Sequence, residues 1–220
     1  MSTITLYQPD FATIRVIECS PPSWMVRLVL LEKGLPHEVV ELSFSAGEHR
    51  SPEMLERNPR GTIPVLTDGD VSLFETFAIV EYLDFAYSEP PLMPSERRQR
   101  ALALTRFHET ANLKSLGMQL FAYLMRTAEE ELQTERVASL WRQFTAELQR
   151  WESYLDTERA FVAGAGLSLG DLSLYVYLET ACQLESELLS DLPVLHAYRR
   201  SLRRRDSVRN SWPATWPPLD

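Results

Sequence analysis

Residues 58–76 read Asn58-Pro59-Arg60-Gly61-Thr62-Ile63-Pro64-Val65-Leu66-Thr67-Asp68-Gly69-Asp70-Val71-Ser72-Leu73-Phe74-Glu75-Thr76. Ile63 to Leu66 and Val71 to Phe74 are short β-like runs flanking Asp68-Gly69, a pair that favours a tight hairpin. From Glu75 to Tyr87 the pattern turns helical. The stretch therefore predicts two strands and then a helix.

Upstream, Ile4 to Tyr7 and Thr13 to Ile17 each read as possible strands, and Glu38 to Leu42 as another. Between them, Ser20-Pro21-Pro22-Ser23 leads into apolar positions Val26, Val29 and Leu30 at helical spacing. Ser20 suits an N-cap with Pro21 at the first helical position, and Gly34 marks a stop. The order is βαβ, a connection, then ββα. Downstream, Pro90, Pro91 and Pro94 interrupt the chain as an interdomain linker, and everything after Ser95 reads as helix. Two long segments, about 95–128 and 134–155, carry apolar positions at a period of 3.6. The fold class expected is a mixed α/β domain over 1–89 followed by an all-α domain over 95–220.

Gly164-Ala165-Gly166 lacks both the third glycine spacing and the preceding strand of a dinucleotide-binding turn, so it reads as a flexible lead into the next helix. Ser168 as N-cap, Asp171 at N3, and Leu167 against Leu172 form a capping box with a hydrophobic staple. The run Leu172, Leu174, Tyr175, Val176, Leu178 is apolar nearly all round and predicts a buried central helix.

Over 220 residues, apolar side chains make up 45% and charged ones 24%, enough to fill a core. A net charge of −9 argues against nucleic acid or an anionic membrane as partner. The run Arg199, Arg200, Arg203, Arg204, Arg205, Arg209 reads as a solvated helix face, with an anion-binding patch as the alternative. Two cysteines, Cys19 and Cys182, fit a reducing compartment, and the four histidines show no metal-ligand spacing with them. With no signal-like N-terminus and no segment long enough to span a bilayer, a soluble cytoplasmic protein without a metal is expected.

Three stretches resemble the glutathione transferase family. Ser20 to Leu28 is similar to the serine-type active-site turn running into the first helix. Gly47-Glu48-His49-Arg50-Ser51-Pro52-Glu53, continued by 58–66 and by Glu75-Thr76-Phe77-Ala78-Ile79, is similar to the phi and theta classes in residues and spacing. Ser168 to Asp171 and the late Arg209-Asn210-Ser211-Trp212-Pro213 have counterparts there too. The resemblance implies a thioredoxin-like glutathione-binding domain, an all-helical second domain, a homodimer, and glutathione as co-substrate for attack on a hydrophobic electrophile. It also leaves room for a glutathione-dependent isomerase, dehalogenase or lyase, or for a regulatory protein that binds glutathione without turnover.

Glutathione is an anionic tripeptide carrying a thiol, so its site needs donors for two carboxylates, a backbone partner and a group that stabilises a thiolate. Ser20 can aim its hydroxyl at a sulfur above a helix N-terminus, where hydroxyl and dipole both favour the anion; it can equally be only a cap. Ser23 lies three residues on as a rival or supporting hydroxyl. Cys19 reads as a small buried side chain, and as a redox nucleophile if the turn is shifted by one. The resemblance implies a cis Pro64, with Thr62 and Ile63 offering backbone groups to the cysteinyl part. Glu75 and Thr76 would meet the γ-glutamyl end at a strand-to-helix junction, and His49 and Arg50 the glycyl carboxylate. Arg106, Phe107 and Phe121 are candidate walls for the acceptor. Tyr7 lies thirteen positions before Ser20, so either 8–19 is an enlarged active-site loop or Thr13 to Ile17 is the true first strand.

Overall fold

The computed structural model describes residues 3–155 and 160–219. They form two compact units, one running up to Pro91 and resuming at Asp206, the other spanning Leu92–Arg205. The last residues thus belong with the first unit, and the helical unit ends earlier than the expected 95–220.

In the first unit a four-stranded sheet has the order β2-β1-β3-β4, from β1 (Ile4–Pro9), β2 (His37–Leu42), β3 (Val65–Asp68) and β4 (Val71–Phe74). β1 and β2 are parallel, an arrangement that needs a crossover, and α1 (Pro21–Glu32) provides it. β3 runs antiparallel to both β1 and β4. Period-2 alternation puts Ile4, Leu6 and Gln8 on the buried face. α3 (Thr76–Ala86), which follows the short α2 (Pro52–Arg57) in the chain, packs beside α1, whose Trp24, Val26, Leu28, Val29 and Leu30 are fully buried. The stop signal at Gly34 holds: its φ is +62°, and Gly34 N and Leu35 N donate to the carbonyls of Leu31 and Leu30. In the hairpin Asp68 pairs with Val71, so the two-residue loop is Gly69-Asp70, one position later than the sequence signal.

Thr13 to Ile17 is not a strand. Phe11–Thr13 is a single 3-10 turn capped by Asp10, whose Oδ1 accepts from Ala12 N at 3.0 Å. Ile14 and Ile17 are buried, while Val16 and Glu18 take left-handed φ values of 71° and 45°. With Ile4–Pro9 as first strand, residues 10–19 form an enlarged loop leading into Ser20.

The second unit contains α4 (Arg97–Arg126), α5 (Thr134–Tyr154), α6 (Leu169–Leu184) and α7 (Pro193–Arg203). Every residue of α6 from Leu169 to Cys182 is buried, and α4 packs on both α5 and α6. Close approach there needs Gly117, where a Cβ would sit 3.3 Å from ring atoms of Phe121 and Tyr177. The capping box at Ser168 and Asp171 is formed. The arginine run is not simply a solvated face: Arg199 and Arg203 both grip Glu179, a fully buried acid on α6, at 2.7 and 2.8 Å. Among the described residues, no helix is long and apolar enough to cross a membrane, and no acidic, His or Cys cluster could hold a metal ion.

Candidate active site

The sheet register gathers the site loops. Parallel pairing aligns Pro9 with Leu42, so the loops after β1 and β2 leave from one end of the sheet. Antiparallel pairing of Tyr7 with Val65, and of Val65 with Phe74, brings the start of β3 and the end of β4 to that same end. Ser20, His49-Arg50, Thr62-Ile63-Pro64 and Glu75-Thr76 all lie on these four connections.

Ser20 is the N-cap of α1, with an extended backbone at φ −124° and ψ 95°. Pro21 and Pro22 carry no N–H, so the first turn offers few backbone donors, and the Ser20 hydroxyl makes no capping bond. It donates instead to Ser23 Oγ at 3.0 Å. Ser20 is half-buried, whereas Ser23 is fully buried and Cys19 is 1% exposed. Of the three side chains considered for the sulfur, Ser20 alone is accessible.

His49 and Arg50 lie in a short 3-10 turn, Glu48–Arg50, opened by Gly47 at φ 74°. His49 is buried and stacks on Phe44, with centroids 4.5 Å apart and planes 9° from parallel. Its Nδ1 has no hydrogen-bond partner among the described residues. Burial and then the neighbouring Arg50 charge push the imidazole pKa down, favouring the neutral ring. Arg50 runs along the Asn58–Gly61 turn: a Cβ on Gly61 would lie 3.2 Å from its Cγ.

Asn58 organises that turn. Its Nδ2 donates to the carbonyl and hydroxyl of Thr62 at 2.6 and 3.0 Å, and its Oδ1 accepts from Arg60 N at 3.0 Å. The Ile63–Pro64 bond that follows is cis. Glu75 is exposed and caps α3 with φ at 70°, a conformation costing a non-glycine residue about 1–3 kcal/mol. Its carboxylate is 3.8 Å from Arg60 Nε, an exposed pair of little strength. Thr76, the first residue of α3, is buried.

The candidate acceptor walls lie in the helical unit. Phe107 and Phe121 are fully buried in its interior, so neither presents a face to an acceptor. Arg106 is more open: it pairs with Glu109 at 2.6 Å and lies 3.4 Å from the centroid of the Tyr154 ring. Tyr154 completes the group by donating to Glu109 at 2.8 Å. Sequence reasoning assigned no role to Asn58 or Phe44. The first had a visible signal, an Asn opening a Pro-Arg-Gly turn; the second had none.

Residues 16–91 match the family model described as glutathione S-transferase, N-terminal domain, and residues 116–210 match the glutathione S-transferase C-terminal domain. Glutathione S-transferase A of Pleuronectes platessa is 34% identical over 204 residues, covering 90% of this chain and 89% of the relative. A solved glutathione S-transferase from the Antarctic clam Laternula elliptica is 30% identical with a TM-score of 0.84, covering 100% of this chain and 96% of its own. The theta class glutathione S-transferase of Xanthomonas axonopodis pv. citri, solved with glutathione bound, is 26% identical with a TM-score of 0.84, covering 96% of this chain and 97% of its own.

Proposed function

The chain belongs to the glutathione S-transferase family, and from that premise we propose that Ser20 holds the glutathione sulfur as a thiolate for attack on an electrophilic, hydrophobic co-substrate. The observation carrying this reading is the accessibility of Ser20 at the head of α1, beside a buried Ser23 and a buried Cys19. Because two prolines remove N–H donors from that turn, the hydroxyl carries more of the anion stabilisation than it would at an ordinary helix start. The Ser20 hydroxyl donates to Ser23 Oγ; when glutathione binds, its thiol gives its proton to solvent and the Ser20 hydrogen turns to the sulfur. The thiolate lone pair then forms the new carbon–sulfur bond, and the displaced electron pair leaves with the acceptor's departing group or enters its π system.

The remaining groups grip the tripeptide. His49 and Arg50 take the glycyl carboxylate. The backbone of Thr62 and Ile63, ahead of Pro64, pairs with the cysteinyl residue in the manner of an added strand. Glu75 meets the γ-glutamyl ammonium, and Thr76 with the N–H groups of α3 meets its carboxylate. No metal takes part in this scheme. The two cysteines, both buried thiols, suit a reducing cytoplasmic setting, which cell fractionation checks. The enzyme works as a homodimer, so light scattering at micromolar concentration should return about twice the 25.3 kDa chain mass. A monomer mass would refute the pairing.

Ser20→Ala tests the catalytic assignment, because it leaves every carboxylate-binding group in place. Losing a donor to anionic charge raises the barrier by about 2.7–4 kcal/mol, or roughly 10²–10³ in kcat. The pKa of the bound thiol, titrated by thiolate absorbance, should rise while glutathione affinity changes little. Ser23→Ala should do less, and Cys19→Ala least. Loss of activity in Cys19→Ala alone would replace this reading with a mixed-disulfide thiol transferase.

A further inference from the structure

Ser20 ends a loop that ought not to hold its shape unaided. Val16 and Glu18 both occupy the left-handed region, and a β-branched residue at a φ of 71° is rare. Such conformations persist where surrounding contacts over-determine them. Ile17 lies between the two. It is 4% exposed, and its carbonyl accepts from the indole N–H of Trp216 at 3.0 Å.

Trp216 arrives from the far end of the sequence. A turn closed by Trp216 N on the Pro213 carbonyl at 3.1 Å presents it, and it is 7% exposed. Its ring meets Trp24 edge-on, with centroids 5.4 Å apart at 90°, and Trp212 at 5.1 Å and 77°. Trp24 is the residue whose N–H closes the first turn of α1 on the Ser20 carbonyl, at 2.8 Å. Its indole N–H also donates to Ser211 Oγ at 2.8 Å. One indole therefore touches the chain three residues before Ser20 and, through Trp24, the helical turn that Ser20 opens.

We infer that Trp216 is a positioning residue for the thiolate site: by gripping Ile17 and Trp24 it fixes both flanks of Ser20 and so aims the hydroxyl. This rests on Ser20 as the group that faces the sulfur. A hydroxyl donor stabilises an anion only at hydrogen-bond distance, and misplacement by about 1 Å can cost on the order of 100-fold in rate. The groups proposed to bind the two carboxylates lie on other loops. Loosening the Ile17 anchor should therefore act on the sulfur more than on glutathione affinity.

The test uses the full chain with Trp216→Phe, which keeps a ring in the cluster but removes the N–H. Replacing Trp216 by β-(3-benzothienyl)alanine, nearly the same shape without the N–H, serves if Phe fails to fold. The control is Trp212→Phe, which removes the indole that donates to the Pro217 carbonyl and leaves Ile17 untouched. Glutathione KM, kcat and the pKa of the bound thiol are measured for each, and again with Ser20→Ala added. At position 216, kcat should fall about tenfold and the thiol pKa rise by about one unit, with KM within roughly threefold of wild type. Trp212→Phe should leave the thiol pKa in place, and Ser20→Ala should cost less in the position-216 background than alone. An unchanged thiol pKa at position 216, or an equal shift in Trp212→Phe, overturns the inference while leaving Ser20 as proposed. If Ser20→Ala itself leaves the thiol pKa unchanged, the Ser20 reading fails and this inference falls with it.

Discussion

Removing the Asp171 carboxylate should unfold the helical unit far more readily than the loss of one helix cap would. Asp171 is fully buried and accepts four hydrogen bonds: Val162 N at 2.8 Å and Tyr198 Oη at 2.9 Å on one oxygen, Ser168 N at 2.8 Å and Ser168 Oγ at 2.6 Å on the other. Asp171→Ala strands two buried backbone N–H groups, at about 1–3 kcal/mol each, besides the lost cap at about 1 kcal/mol. Relief from holding a carboxylate out of water offsets part of this, leaving about 3–5 kcal/mol. For a chain of this size that lowers the melting temperature by roughly 10 °C. Asp171→Asn should do little better, since its NH₂ faces donors on one side. Ser168→Ala, which removes one donor and the cap hydroxyl, should cost about 1 kcal/mol. Circular dichroism melts of the three variants give the comparison, and the thiol pKa of glutathione bound to folded Asp171→Ala should match wild type. A melt within 2–3 °C of wild type would refute the accounting of stranded donors.

Glu179 provides a test in pH. Burial alone would raise its carboxyl, but hydrogen bonds and charge from Arg203 and Arg199 hold it below the ordinary value, so its contribution is present above about pH 4.3 and lost as pH falls through the lower folded value. Glu179→Gln should cost about 3–5 kcal/mol at neutral pH by urea denaturation and progressively less in acid, and a cost that does not shrink in acid contradicts the assignment. For His49, burial and Arg50 favour the neutral ring in the free enzyme, so protonation costs stability as pH falls below about 6.5. A glycyl carboxylate would favour the charged ring instead, so binding of S-methylglutathione, which has no thiol proton to release, should take up a proton near pH 6, seen by calorimetry in two buffers and absent in His49→Gln. Equal heats in both buffers would remove His49 from the carboxylate site.

Much of the first unit was legible because its signals are local. Gly34 stops a helix by taking a positive φ, Asp68-Gly69 marks a hairpin, and Ser20-Pro21-Pro22 starts α1; each works within a few residues. The capping box at Ser168 was legible for the same reason. That Asp171 would also hold Val162 N and Tyr198 was not, since those partners follow from packing rather than from helix spacing. The arginine run misled because charge runs usually face solvent. The counter-signal lay elsewhere: Glu179 is an acid midway along a helix that is buried from Leu169 to Cys182, and a buried carboxylate needs a cation. Two of the run supply it.

The loop before Ser20 shows where local reasoning stops. Thr13 to Ile17 has strand-forming residues, yet Asp10 caps a turn there and Val16 turns left-handed without a glycine. No propensity favours that path, so its cause must be tertiary. The contact in question spans 199 positions, from Trp216 to the Ile17 carbonyl, and a separation of that size leaves no periodicity to read. The same geometry explains why a terminal Trp-Pro segment can accompany a serine-type turn in one sequence. An enlarged loop gives Ser20 more ways to be misplaced, and a distant indole holding its middle residue removes them. On the proposed reading, chemistry at Ser20 depends on a residue outside the glutathione-gripping set, and the coupling between Trp216 and Ser20 measures how strongly.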